Sequence, residues 1–112
     1  MAIELKVKTV EIFTVVELVG DIDAKTTSEI QELVLSLAQS DSKIILDLSR
    51  VAYMSSAGLR MLLLLYRTVT AKQGKIILVG LREEIRDTMA VTGFLDFFTT
   101  CDDVESGLAL LR

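Results

Sequence analysis

The chain has 112 residues, enough for one domain with a single hydrophobic core. Its net charge of −4 argues against direct nucleic-acid binding, because such binding requires a basic surface. The chain has no histidine, which excludes histidine-based acid–base catalysis and most zinc sites, and its single cysteine, Cys101, cannot form an internal disulfide.

The sequence carries no targeting or membrane signal. Apolar and charged residues alternate from Ile3 to Lys8, unlike the apolar block of a signal peptide. The longest uninterrupted apolar run, Met61–Tyr66, is far shorter than the ~20 residues that span a bilayer. A lone cysteine is more typical of a reducing compartment than of a secreted protein. We therefore expect a cytoplasmic protein with no membrane insertion.

Two strands are predicted at the start of the chain. From Ile3 to Val7, apolar residues alternate with charged ones, which is the period of a half-buried edge strand. The run from Ile12 to Val19 is rich in β-branched and aromatic residues and ends at Gly20. We expect the two strands to form a hairpin that turns around Thr9–Glu11.

An amphipathic helix is predicted next, from about Thr26 to Gln39. Apolar residues fall at helical spacing along one face: Ile30, Leu33, Val34, Leu37 and Ala38. Thr26 and Glu29 have the spacing of a capping box, which places the start of the helix just after Asp23.

Two nearly identical segments, Lys43–Leu46 and Lys75–Leu78, each open a short and continuous apolar run. Such runs are typical of parallel strands that are covered on both faces. Between them, Gly58–Thr70 has apolar residues on nearly every side. That pattern indicates a helix that packs within the core or against a partner.

Three further elements are predicted toward the end of the chain. Leu81–Thr92 has the pattern of a shorter amphipathic helix, and Gly93 is well placed to end it. The apolar cluster Phe94–Phe98 is interpreted as core around an edge strand, with contact to a partner as the alternative. Asp102–Arg112 closes the chain as a helix with acids in its first turn.

The predicted order of elements is ββαβαβαβα, which defines an α/β domain with a mixed, mostly parallel β-sheet and about four helices. Right-handed crossovers would place the loops Gly20–Asp23 and Ser55–Ser56 at the same end of the sheet, beyond the carboxyl ends of the strands. Ligand and switch sites of open α/β sheets gather at that end.

The serine pair at the start of the central helix is the most informative feature. A short apolar strand, Lys43–Leu48, runs into a brief loop, and Ser55 and Ser56 follow where the helix begins. The first turn of a helix has backbone N–H groups without partners, and its dipole favours negative charge. A hydroxyl there can cap the helix, and the same position can hold a phosphate. On the residues alone Ser56 is either a cap or a switch, and a cap is the more common role.

Residues Tyr53–Leu59 resemble the signature of the STAS domain, specifically that of the bacterial anti-sigma factor antagonists. In that family an aromatic or apolar pair precedes Asp-Ser-Ser/Thr-Gly-Leu, which opens a helix. A second block, Gly20–Asp23, resembles the family's Gly-Glu-Leu-Asp, which ends a strand before the first helix. The resemblance covers essentially the whole chain, including the order of elements, and implies one STAS domain over residues 1–112.

The resemblance implies that Ser56 is phosphorylated, because it falls on the family's phosphorylated serine when the sequences are aligned on Gly58–Leu59. Ala57 replaces the family's second hydroxyl residue. Ser55 stands where the family usually has an acid, so the unmodified protein presents a less negative field to a kinase. Ser55 is also a second hydroxyl that could accept phosphate, although Ser56 is the favoured acceptor.

A partner-binding surface is also implied by the resemblance. It comprises the loop Ser55–Ser56 (the serine loop), the start of the following helix and the neighbouring loop Gly20–Asp23 (the acidic loop). The residues concerned are Asp21, Asp23, Ser55, Ser56, Gly58, Leu59 and Arg60. Without the resemblance, Asp21 and Asp23 would simply complement the dipole of the helix that follows them. Asp47, inside an apolar strand, is interpreted as structural.

The implied function is that of a signalling module. The unphosphorylated domain would bind an anti-sigma factor serine kinase and so release a sigma factor for transcription. Phosphorylation of Ser56 would abolish that binding, and a serine phosphatase would restore it. The alternative is a non-switching structural STAS subunit of a lipid-transport, transporter or stress-sensing complex.

Enzymatic functions find no support in the sequence. Ser56 has no histidine to activate it, and Met54–Gly58 is not a Gly-x-Ser-x-Gly elbow. Gly74 and Gly80 are isolated and form no phosphate-binding loop, and Asp102–Asp103 lacks the further oxygen ligands of a calcium loop. We expect no catalytic residue, no metal and no cofactor.

Overall fold

The structure is a computed structural model that describes residues 3–112 and contains one five-stranded β-sheet. The strands are β1 Glu4–Val10, β2 Phe13–Val19, β3 Lys43–Arg50, β4 Lys75–Val79 and β5 Thr99–Cys101. The helices are α1 Thr27–Leu37, α2 Ser56–Ala71, α3 Glu83–Val91 and α4 Val104–Leu111, and a short 3-10 helix covers Phe94–Phe97. The predicted ββαβαβαβα order is confirmed.

The sheet is mixed and mostly parallel, as the sequence predicts. Its strands lie in chain order from β1 to β5. The first pair, β1 and β2, is antiparallel, and every other neighbouring pair is parallel. The carboxyl ends of β2, β3 and β4 therefore lie at one end of the sheet, where the loops after β2 and β3 begin.

The hairpin turn lies slightly later in the chain than the sequence predicts. Val10 still pairs with Phe13 across the hairpin, so the turn is Glu11–Ile12 and not Thr9–Glu11. Glu11 adopts a φ of 58°, a left-handed backbone conformation that is uncommon outside glycine. The pairing leaves β1 at the edge of the sheet, as its alternating pattern predicts.

The two nearly identical strands lie side by side, with Lys43 opposite Lys75 and the following residues paired in turn. Alternate residues of β3 face two different layers. Ile44 and Leu46 pack in the larger core, which α1, α2 and α3 cover, while Ile45 packs in a smaller core under α4. A strand that is covered on both faces has to be apolar at almost every position, which explains the continuous apolar runs.

Helix α2 packs its apolar side into the larger core, one of the two roles that its sequence predicts. Its buried residues are Gly58, Leu59, Met61, Leu62, Leu65 and Val69. Its exposed stripe contains Ser56, Arg60, Leu64 and Arg67. Burying a large apolar side chain contributes roughly 2 kcal/mol, so packing rather than helix propensity holds α2 in place. Within residues 3–112, none of the helices has the length and apolar character that a membrane span requires.

The predicted capping box at the start of α1 is wrong. The side chain of Thr26 makes no capping bond, because its backbone has nearly helical dihedral angles (φ −107°, ψ −15°) and not the extended ones that a cap usually has. Its hydroxyl instead accepts a hydrogen bond from Asp23 N (3.0 Å) and donates one to the carbonyl oxygen of Asp21 (3.0 Å). Thr26 is buried and fixes the loop that precedes α1.

Most of the apolar cluster after α3 packs against the core, the interpretation that the sequence favours, but the Phe97 side chain is exposed. Phe94 and Phe98 are partly buried against the larger core, and the Phe98 ring meets that of Tyr66 in α2 edge to face, with centroids 5.5 Å apart. Gly93 follows α3 with a φ of 83°, so the predicted glycine stop is confirmed. The short strand β5 begins just after the cluster.

Candidate functional site

Two loops meet beyond the carboxyl ends of β2 and β3. Ile22 donates its N–H to the carbonyl oxygen of Tyr53 (2.9 Å), and its own carbonyl oxygen accepts a hydrogen bond from Ser55 N (2.9 Å). Together these bonds form an isolated parallel bridge between Ile22 and Met54. The prediction that the loops Gly20–Asp23 and Ser55–Ser56 lie at the same end of the sheet is confirmed, and the two loops are in direct contact.

The first turn of α2 lies directly against this bridge, and Gly58 makes that approach possible. A Cβ atom at Gly58 would lie 2.7 Å from Met54 Cγ, 2.8 Å from Ile22 Cγ2 and 3.3 Å from the Ile22 carbonyl oxygen. The first two distances are far shorter than the optimal carbon–carbon separation of about 3.5–4.0 Å. A side chain at position 58 would therefore push the serine loop and the acidic loop apart.

The two adjacent serines have different roles at the start of α2. Ser55 is the N-cap: its backbone is extended (φ −81°, ψ 173°) and its Oγ accepts a hydrogen bond from Gly58 N (3.3 Å). Ser56 is the first helical residue and is exposed, and its hydroxyl has no hydrogen-bond partner within residues 3–112. The hypothesis that Ser56 caps the helix is wrong, because the extended backbone that capping needs occurs one residue earlier.

The acidic loop before α1 is held by its own side chains. Asp23 Oδ1 accepts a hydrogen bond from Lys25 N (2.9 Å), and the Thr26 hydroxyl binds backbone groups of Asp21 and Asp23. Sequence reasoning missed Thr26 as a member of this site, because its spacing to Glu29 imitates a capping box. The signal that could have found it is its spacing of three residues from Asp23, which suits a hydrogen bond between a hydroxyl and the backbone.

The residues predicted for partner binding differ in exposure. Asp21, Ser56 and Arg60 are exposed, so a partner can reach their side chains directly. Gly58 and Leu59 are buried, so they hold the first turn of α2 in position and form almost none of the surface. Asp23 and Ser55, the remaining two, are half-buried.

Asp47 lies outside this site. It is half-buried in β3, on the face of the sheet that α4 partly covers, opposite Glu17 of β2. Its Oδ1 accepts a hydrogen bond from Ser49 N (3.0 Å) near the end of the strand. That bond agrees with the structural role expected for Asp47.

A small cavity of about 170 Å³ lies beside the serine loop. Its lining includes Tyr53 and Leu59 on one side and Ile85 and Thr88 of α3 on the other. Small-molecule pockets usually measure roughly 300–1,000 Å³, so this cavity suits one side chain of a partner better than a cofactor. Among the residues that the structure describes, no cluster of three or more acidic or cysteine side chains could hold a metal ion.

Comparison with known proteins identifies the fold family. Residues 4–107 match the sequence profile of the STAS domain. The chain belongs to the STAS domain family. It is 32% identical over 81 residues to BtrV of Bordetella bronchiseptica, a protein named as a candidate anti-sigma factor antagonist. That match covers 72% of this chain and 70% of BtrV.

Solved structures share the STAS fold of this chain. An anti-sigma factor antagonist from Mycobacterium paratuberculosis matches with a TM-score of 0.86 and 24% identity, over 98% of this chain and 94% of that one. The anti-sigma factor antagonist SpoIIAA matches in its unphosphorylated form with a TM-score of 0.78 and 20% identity, over 97% of this chain and 96% of that one. Bacillus SpoIIAA in its phosphorylated form matches with a TM-score of 0.73 and 19% identity, over 97% of this chain and 100% of that one. At these identities the structural matches establish the fold.

Proposed function

We propose that this chain is an anti-sigma factor antagonist. In its unphosphorylated form it binds an anti-sigma factor serine kinase, and the sigma factor that the kinase held is released to transcribe. The chain is then a single STAS interaction module that acts in the cytoplasm by partner switching and has no catalytic residue of its own. Membership of the STAS family and the 32% identity to BtrV support this function.

The observation that carries the switch is the difference between two neighbouring hydroxyl groups. The Ser55 hydroxyl is occupied by its bond to Gly58 N, and Ser55 is half-buried. Ser56 is exposed at the first position of α2, and its hydroxyl makes no hydrogen bond to any described residue. Because a kinase needs an accessible hydroxyl that is free to react, Ser56 is the proposed phosphoacceptor.

Phosphorylation of Ser56 is a direct phosphoryl transfer. Ser56 Oγ forms a bond to the γ-phosphorus of a nucleoside triphosphate held by the kinase, while the bond from that phosphorus to the bridging oxygen breaks. The hydroxyl proton passes to a base on the kinase, and the nucleoside diphosphate leaves. A serine phosphatase restores the hydroxyl by hydrolysis, in which water supplies the oxygen that departs with the phosphate.

The phosphoryl group changes the charge of the surface and leaves the fold intact. It adds a charge of about −1.5 to −2 at an exposed position. The positive end of the α2 dipole stabilises that charge locally, so little backbone movement is needed. A partner that docks on Asp21, Ser56 and Arg60 meets a different electrostatic field after the transfer. The match of this chain to both forms of SpoIIAA supports a switch that preserves the fold.

Ser56→Asp tests the proposal. The serine kinase would be captured on the immobilised wild-type domain, identified by mass spectrometry, and titrated calorimetrically against wild type, Ser56→Asp and Ser56→Ala. We expect Ser56→Asp to bind at least tenfold more weakly, a loss of about 1.4 kcal/mol or more, because it carries part of the charge of the phosphate. Ser56→Ala should bind as wild type does, and both melting temperatures should stay near that of wild type. Equal affinity of Ser56→Asp would contradict the switch and favour a constant structural subunit.

A further inference from the structure

Helix α2 has a one-sided charge pattern. It contains no acidic residue, and its two charged side chains are both arginines, Arg60 and Arg67. Its first turn has no acid, whereas the first turns of α1, α3 and α4 each have at least one. Its cap, Ser55, is neutral as well. Both the positive end of the helix dipole and the nearby arginine therefore lack a counter-charge on their own helix.

The position of Arg60 relates it to Ser56. Arg60 is exposed and forms no ion pair with any residue in the described part of the chain. It follows Ser56 by four residues on the same exposed stripe, a spacing that puts Cβ atoms about 5–6 Å apart. Because Cα–Cβ bonds in a helix tilt toward its N-terminus, the long Arg60 side chain extends back over the turn that begins at Ser56.

We propose that Arg60 is the intramolecular partner of the phosphoryl group on Ser56, an inference that rests on the proposed phosphorylation of that residue. A guanidinium group binds phosphate through paired, charge-assisted hydrogen bonds. In the unmodified protein Arg60 presents a free positive charge beside the Ser56 hydroxyl. In the phosphorylated protein the phosphate engages that charge.

The pairing gives the switch a second effect on the partner. Adding a phosphate places negative charge on the surface, and engaging Arg60 removes a basic contact from it at the same time. The group on the partner that meets Arg60 is therefore acidic, and a carboxylate there loses its ion pair when Ser56 is modified. An ion pair between two proteins is thus exchanged for one within α2.

The first test is spectroscopic. Phosphoserine would be incorporated at position 56 during translation, and the arginine Nε–H signals of the modified and unmodified proteins would be compared by NMR. We expect the Arg60 signal to shift and its hydrogen exchange to slow on phosphorylation. Arg67 is the internal control: it lies on the same stripe but roughly 16 Å further along the helix axis from Ser56, out of reach. An Arg60 signal that does not respond would overturn the pairing.

The second test measures the coupling between the two groups. The change in melting temperature on phosphorylation would be recorded for wild type, Arg60→Gln and Arg67→Gln. We expect this change to be about 2 °C less favourable in Arg60→Gln than in wild type, and equal to wild type in Arg67→Gln. Identical changes in all three proteins would refute the pairing. Because phosphoserine is installed directly, a failure here is distinct from a failure of the proposed function, which would show as absence of phosphate on Ser56 in the cell.

Discussion

Helices α2 and α4 begin with the same kind of capping hydrogen bond, from a backbone N–H to the side chain three residues earlier, but the charges around the two caps differ. In α4, Asp103 Oδ1 accepts from Ser106 N (2.8 Å) and Ser106 Oγ accepts in return from Asp103 N (3.2 Å), which completes a capping box. In α2, Ser55 Oγ accepts from Gly58 N (3.3 Å), and no acid stands in the first turn. The cap of α4 is therefore a charged carboxylate in a complete capping box. The cap of α2 is neutral, and the Ser56 hydroxyl beside it makes no hydrogen bond to any described residue.

The difference separates a purely structural helix start from one that can take up charge. At α4 the carboxylate already balances the dipole, and the hydrogen bonds from the backbone N–H and hydroxyl of Ser106 hold the pKa of Asp103 below its ordinary value of 3.8. At α2 that balance is missing until a phosphoryl group arrives. In the unmodified protein, the positive end of the α2 dipole thus has no counter-charge on its own helix.

Substitution of a glycine near each helix start should give the largest contrast. Gly58→Ala brings a Cβ within 2.8 Å of Ile22 and Met54, so we expect it to lower the free energy of unfolding by about 1–3 kcal/mol. Gly107→Ala in α4 is the matched control, because its Cβ would lie 3.1 Å from Val79 Cγ1 and 3.3 Å from Ile45 Cδ1. Both substitutions gain up to about 1 kcal/mol in helix propensity, which should offset much of the milder strain at position 107 but not the closer contacts at position 58. Urea unfolding measures both, and equal losses would contradict the close approach at Gly58.

Removal of the two neighbouring hydroxyls should give the next contrast. Ser55→Ala deletes the cap of α2 and should lower the free energy of unfolding by about 1 kcal/mol. Ser56→Ala removes a hydroxyl without a partner and should change it by less than about 0.5 kcal/mol. Urea unfolding of the two variants decides which serine caps the helix. A larger loss in Ser56→Ala would reverse the assignment and weaken Ser56 as the free hydroxyl.

The smallest effect should be a difference between the two caps in how their contribution to stability changes with pH. Because the folded state depresses the pKa of Asp103, the stability linked to it is present above the unfolded pKa and is lost as pH falls through the folded one. Asn can still cap a helix but does not titrate in this range. The Asp103→Asn variant should therefore lack the loss of stability that protonation of Asp103 causes at low pH.

The measurement is the melting temperature of wild type and Asp103→Asn between about pH 7 and pH 2. We expect any advantage of wild type at neutral pH to shrink below about pH 4. The same experiment on Ser55→Ala is the control, since the Ser55 cap carries no titrating group and its difference from wild type should stay constant. A constant difference for Asp103→Asn as well would contradict the depressed pKa of Asp103.

The fold could be predicted because its signals are periodic and redundant. The copies Lys43–Leu46 and Lys75–Leu78 predict two parallel strands, and the structure pairs them residue for residue. The position of the acidic loop and the serine loop at one end of the sheet follows from the parallel pairing of β2 and β3, and the contact between the two loops is observed. Each of these inferences draws on many residues, so a single misplaced boundary does not change the result.

The details of the site could not be predicted in the same way. Whether Ser55 or Ser56 caps α2 depends on which residue is the last with an extended backbone, and the apolar helix that follows fits either choice. Thr26 has the correct spacing to Glu29 for a capping box, yet its backbone conformation directs the hydroxyl to the loop instead. Such single-residue choices are decided by local dihedral angles that sequence patterns leave open.

The most direct test of the switch is the intact mass of the protein isolated from its own organism under phosphatase inhibition, followed by peptide mapping. We expect a subpopulation that is heavier by one phosphoryl group and carries it on Ser56, in proportions that change with growth and stress conditions. Phosphate on Ser55 would contradict the assignment of the free hydroxyl. A single unmodified species under all conditions would contradict the switch itself.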